Sequence, residues 1–172
     1  QCAAAVVNWH TGELLAVVGG RSEPVQRKQL NRAYQNDMPV GSSLKPLSVY
    51  GPAFDMGYSP GTPVLNLPIP IKDWNSENGY PNNYGGGGFT GTESMRYAIN
   101  KSHNTSAAHV LMDYVGIGNA VTYLLKLGID PDHILATGAG LALGASGVTV
   151  PRLLAQLPIR ASIRNPMPLP RF

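Results

Sequence analysis

One cysteine, Cys2, stands in 172 residues, which excludes an internal disulfide framework and any site built from several thiolates. Charge is scarce as well. Asp, Glu, Lys and Arg make up 13% of the chain, about half the usual share, and the net charge of +3 is spread without a Lys/Arg block. That excludes a nucleic-acid footprint, and so thin a positive excess names no anionic partner. No apolar run approaches the ~18 residues of a membrane span, and QCAAAVVNWH lacks the basic region and cleavage pattern of a signal peptide. Export or anchoring, where it occurs, is therefore specified outside this chain. His10, His103, His109 and His133 lack metal-ligand spacing with carboxylates or cysteines, and the glycines at 85–88 form neither GxGxxG nor a Walker loop. No metal and no other cofactor is expected. What is present is 43% hydrophobic residues, enough to bury the core of one globular domain.

Residues 3–20, AAAVVNWHTGELLAVVGG, place two Val-rich runs around the turn-like HTGE and predict a β-hairpin. A polar loop then leads to Pro39 and GSSLKP. Leu44, Leu47 and Tyr50 follow at helical spacing, with Pro46 tolerable in a first turn and Pro52 set to kink or stop the helix. Residues 58–89 carry Pro60, Pro63, Pro68, Pro70, Pro81 and several asparagines, and read as a long irregular surface segment. Trp74, Tyr80 and Tyr84 either line a groove there or pack on the body. Thr90-Gly-Thr-Glu93 has capping-box spacing ahead of a helix running towards Lys101, which Ser102-His-Asn104 interrupts. Helical patterns then cover 106–114 and a stretch with Val121, Leu124 and Leu125 on one face, Gly128 being its stop. Thr149 and Pro151 can cap and open a last helix through Leu154 and Ala155. Residues 157–172 bring four prolines and no periodicity.

Ser42-Ser-Leu-Lys45 sets a hydroxyl and an amine one helical turn apart, a spacing that suits a nucleophile and its base. A Ser-x-x-Lys arises by chance in about half of chains this long, and on spacing alone a helix start capped by serine is the favoured account. Ser-x-Asn occurs twice, as Ser76-Glu-Asn78 in the Pro/Gly-rich segment and as Ser102-His-Asn104 between two helices. Only the second lies where a side-chain pair can be held rigidly.

The order NWHTGELLAVVGG, LNRAYQ, GSSLKP, YPNNY, FTGTESMRYAINKSHNTSA, LALGASGVT resembles the transpeptidase domain of class A penicillin-binding proteins, over about residues 3–156. The resemblance implies an α+β fold of the β-lactamase/transpeptidase type, helices packed on an antiparallel sheet whose C-terminal strands are missing from this chain. It implies D-Ala-D-Ala transpeptidation through an acyl-enzyme on Ser42, with Lys45 as the base. Ser102 would relay a proton between Lys45 and the leaving nitrogen, and the Asn104 amide would hold the substrate's peptide group. Implied partners are peptidoglycan stem peptides and β-lactam antibiotics. The implied location is extracytoplasmic, with a membrane anchor outside this chain. The family's third motif, Lys-Thr-Gly or Lys-Ser-Gly on a strand, is not matched. Ala136-Thr-Gly138 lacks the lysine and precedes LALGAS rather than following it, so Thr137 reads as a loop residue. We therefore expect 1–156 to be the N-terminal and helical part of the domain, with activity impaired in the fragment. Residues 157–172 are expected not to be native domain sequence, a frameshift being one cause. A β-lactam sensor that acylates without turnover and a β-lactamase-like hydrolase are the rival readings.

Overall fold

The two Val-rich runs pair as antiparallel strands β1, Ala4–Val7, and β2, Leu14–Val18, with Ala4 opposite Val18 and a bulge after Val6. They belong to a computed structural model that describes residues 2–8, 10, 11, 13–21, 30–35, 38–71, 74, 79–86 and 88–148. Ser76 and Asn78, the helix expected from Thr149 and Pro151 through Leu154 and Ala155, and the stretch 157–172 lie outside the described residues. Neither strand of the hairpin contributes to the buried core, and Val6, Leu15, Val17 and Val18 are exposed.

A short helix α1, Arg32–Gln35, and strand β3, Met38–Pro39, precede the segment expected to be one helix. It winds instead in three ways: a 3-10 turn over Gly41–Leu44, wider π-type turns over Pro46–Tyr50, and helix α2, Gly51–Asp55. Proline explains the seam. The Gly51 N–H reaches back to the Pro46 carbonyl, and Pro52, which has no N–H to give, falls in the first turn of α2 where none is required. It opens that helix rather than stopping it.

The proline-dense segment is not irregular throughout. Pro63–Asn66 forms strand β4 and pairs antiparallel with β5, Gly91–Ser94, Pro63 lying opposite Ser94 and Asn66 opposite Gly91. Proline is admissible as the first residue of a strand, and the following residues alternate, Val64 and Asn66 inward and Leu65 outward. Glu93 consequently lies in a strand, not in a capping box. The cap of the next helix, α3, Met95–Lys101, is Ser94, whose hydroxyl accepts from the Tyr97 N–H at 3.3 Å.

Helix α4, Asn104–His109, runs through the centre of the core and continues in π-type turns over Val110–Val115 until Gly116. On α5, Ile117–Lys126, Ala120 and Leu124 are buried and Val121 is partly buried, but Leu125 is exposed, one position beyond the inward face. Helix α6, Gly138–Ala142, arises in the glycine-rich stretch because the Thr137 hydroxyl accepts the Gly140 N–H at 3.0 Å. Thr137 is thus a helix cap, outside any strand. Strand β6, Gly147–Val148, returns to pair with β3, Met38 opposite Val148. Among the described residues the architecture is α+β: helices around α4, with three two-stranded antiparallel ladders at their edges.

Candidate active site

The turn that carries Ser42 is fixed from below. Gly41 has a φ of 58°, a left-handed conformation glycine adopts without steric cost, and its N–H donates to the Gly144 carbonyl at 3.0 Å. A Cβ on Gly144 would run into the Gly41 carbonyl, so GSSLKP and LALGAS meet through bare backbone. Ser48 adds a second tie, its hydroxyl donating to Leu141 O at 2.6 Å. In a 3-10 turn the side chains at i and i+3 eclipse, which aligns Ser42 with Lys45. Ser42 is exposed, whereas Lys45 is 2% exposed.

The Lys45 ammonium reaches across to residues 57 to 59 positions away. Its Nζ donates to Ser102 O at 2.8 Å and to Asn104 Oδ1 at 2.7 Å, and lies 3.3 Å from Ser102 Oγ and 3.4 Å from His103 O. The two shortest bonds use two of its hydrogens. The third position faces the Ser102 hydroxyl, which can accept from a protonated amine or donate to a neutral one. Ser42 Oγ is not among the partners of Nζ. Burial lowers the Lys45 pKa from 10.5 to about 8, because leaving water disfavours the charged form.

Ser102 ends α3 with φ 53° and ψ 39°, the single non-glycine residue at positive φ among the described residues. Such strain, on the order of 1–2 kcal/mol, persists because the surroundings over-determine the turn. The Asn104 amide is held at both ends, its Nδ2 donating to Asn82 O at 2.7 Å. Asn83, buried, accepts the Asn104 N–H at 2.8 Å and the Thr105 N–H at 3.3 Å through Oδ1, capping α4 from the 79–84 segment. Asn66 on β4, fully buried, in turn accepts from Asn83 Nδ2 at 2.8 Å and from the Thr105 hydroxyl. Sequence reasoning missed Asn66, Asn82, Asn83 and Thr105. The wording YPNNY was the one visible signal, since paired asparagines beside a proline offer caps as well as loop residues.

Trp74 packs against the core, while Tyr84 is 97% exposed and Tyr80 meets Phe89 edge-on at 6.0 Å. His103 and His109 each hydrogen-bond a carboxylate, Glu93 and Asp113, at 2.8 and 2.7 Å.

Comparison with known proteins gives the arrangement a family. The chain is similar to penicillin-binding protein 1A of Clostridium perfringens strain 13, 37% identical over 134 residues, which cover 75% of this chain and 19% of the relative. It is also similar to penicillin-binding protein 1A of Neisseria flavescens, 34% identical over 91% of this chain and 19% of that protein. The chain thus spans about a fifth of the length of these curated relatives. Among solved structures, penicillin-binding protein 1A from Haemophilus influenzae superposes with a TM-score of 0.78 at 29% identity, covering 91% of this chain and 23% of that one. Penicillin-binding protein A from M. tuberculosis, at 19% identity and a TM-score of 0.70 over 88% of this chain and 43% of that one, shares the fold. Residues 2–162 match the penicillin binding protein transpeptidase domain model, and to that family, in its class A form and with its β-lactamase/transpeptidase fold, this chain belongs.

Proposed function

We propose that this chain carries the acylation centre of a serine-type D-Ala-D-Ala transpeptidase that cross-links peptidoglycan. The observation that carries the reading is the buried Lys45 amine, one turn from Ser42 and hydrogen-bonded to both Ser102 and Asn104. Ser42 Oγ attacks the carbonyl carbon of the penultimate D-alanine of a stem peptide, forming an ester as the bond to the terminal D-alanine breaks. Neutral Lys45 takes the serine proton. Ser102 Oγ relays a proton to the departing nitrogen, and the amine of a second stem peptide then displaces Ser42 from the acyl group. Asn104, its amide oriented by Lys45 and Asn82, holds the peptide group of the donor strand. The Ser42 N–H, at the start of the turn, supplies one donor to the developing oxyanion. β-Lactams acylate the same serine. The reaction places the site outside the cytoplasm, with attachment to the membrane by a segment beyond this chain. Among the described residues no helix is long and apolar enough to cross a membrane.

Incubating the intact protein with a fluorescent penicillin and locating the adduct by mass spectrometry tests this. The expected adduct is on Ser42 and is long-lived, and Lys45→Ala slows its formation by at least ~100-fold. An adduct on Ser43, or one that persists in Ser42→Ala, overturns the assignment, and rapid release of the label would indicate a hydrolase instead.

A further inference from the structure

All four acceptors around Lys45 Nζ come from three consecutive residues, Ser102, His103 and Asn104. What holds that tripeptide therefore sets the environment of the amine. One clamp is Asn83, on the Asn104 N–H. The other is Glu93 on β5, and it has no role in the reaction as derived above.

The Glu93 carboxylate is 5% exposed, and an imidazole, two hydroxyls and an amide surround it. Oε1 lies 2.8 Å from His103 Nδ1 and accepts from Ser106 Oγ at 2.8 Å; Oε2 accepts from Thr90 Oγ1 at 2.8 Å and Asn66 Nδ2 at 3.2 Å. An ionised carboxylate accepts from all four when His103 Nδ1 carries its hydrogen. In that tautomer the 3.1 Å approach of Asn66 Nδ2 to the same nitrogen is not a hydrogen bond. Burial opposes ionisation of Glu93, but the bonds from His103, Ser106 and Thr90 outweigh it and hold the carboxyl below its usual range. Tyr50, on the Lys45 side of the core, also faces this charge: its hydroxyl is buried without a partner, and burial first, then the field of Glu93, raise its pKa. Glu93 thus grips α4 on both sides of Asn104, through His103 before it and Ser106 after it. The His103 side chain is anchored to β5 while its own carbonyl faces Lys45 Nζ.

We propose that the Glu93–His103 pair is a positioning device for the proposed acylation: it fixes the 102–104 turn so that its acceptors hold the Lys45 amine in line with Ser42. This rests on Ser42 and Lys45 being the acylated serine and its base. The residues act through Lys45 and touch no substrate. Geometry offers a discriminating variant, because the Asn side-chain N–H occupies nearly the place of imidazole Nδ1–H.

The test is the second-order rate of acylation by a fluorescent penicillin, followed from pH 6 to 10 in the intact protein, for wild type, His103→Leu, His103→Asn and Glu93→Gln, with melting temperatures alongside. The positioning role predicts that His103→Leu and Glu93→Gln lose roughly 10-fold or more in rate and displace the pH midpoint. His103→Asn should regain most of both. If His103→Leu melts lower yet matches wild type in rate and midpoint, the pair is merely structural and the inference falls while the Ser42 assignment stands. Should His103→Leu be too unstable to assay, Glu93→Gln decides by the same criterion. If wild type takes no label on Ser42, the functional reading falls and the inference with it.

Discussion

At the residue scale, the decisive quantity is the charge on Lys45. With a pKa of about 8 set by burial, roughly a tenth of the amine is neutral at pH 7. The acylation rate is therefore expected to climb with pH through about 8 and level off above it, as a stopped-flow titration with penicillin would show; a flat profile would remove Lys45 as the base. The same shift has a stability consequence. Between about 8 and 10.5 the unfolded chain binds more protons than the folded one, so stability rises with pH across that window as the penalty for a buried charged amine disappears. Lys45→Met should flatten that rise in denaturant titrations. Glu93 has the same sign in the acid range: its folded pKa lies below the usual 4.5, so its contribution is complete above that value and is lost as pH falls through the folded one. Glu93→Gln is expected to erase this acid limb. The candidates Ser42, Lys45, Ser102 and Asn104 were singled out in the sequence by two short spacings taken together with the family resemblance. Glu93 was not. Its partners lie up to 27 positions away, and Thr90, three residues before it, imitates a capping box although the actual bond joins two side chains at the start of a strand.

At the scale of elements, local signals did well where one feature dominated. The Val-rich runs on either side of HTGE gave β1 and β2, and Gly128, at φ 82°, follows the end of α5. They failed where proline density masked a four-residue strand, since β4 is held by its register with β5 and by the buried Asn66, neither visible locally. The three windings of 41–55 were hidden too, because they follow from which carbonyl the Gly51 N–H selects when its neighbour has no donor. Gly144 shows what such tertiary detail is worth. At φ 72°, with the Gly41 carbonyl where a Cβ would stand, it admits no side chain unless the turn before Ser42 moves. Gly144→Ala is expected to cost about 1–3 kcal/mol and to slow acylation through displacement of Ser42. Loss of stability in denaturant with an unchanged acylation rate would show that the turn relaxes independently of the serine.

For the whole molecule, the α+β class was legible through the resemblance that the ordered motifs carry, whereas the distribution of stability was not. The core is built around α4 and its continuation over Val110–Val115, with β4, α3 and α6 against α4 and the segment 46–55, α5 and α6 against the continuation. Among the described residues the hairpin adds none to the core, and Leu15 at 62% and Val18 at 55% exposure leave both faces of β2 facing solvent. A two-stranded ribbon is marginal without a packed face, and its unpaired edges invite association. In the 172-residue chain by itself, amide exchange should accordingly be fast at Val6 and Val17 and slow at Leu111, which is fully buried. Substitutions divide the same way. Leu15→Lys is expected to leave the denaturant midpoint within the equivalent of about 0.5 kcal/mol while reducing aggregation, and Leu111→Ala to cost about 2–5 kcal/mol. Were Leu15→Lys to destabilise the chain as much as Leu111→Ala, the hairpin would have to be packed against the helical core in solution, and the separation drawn between them would be wrong.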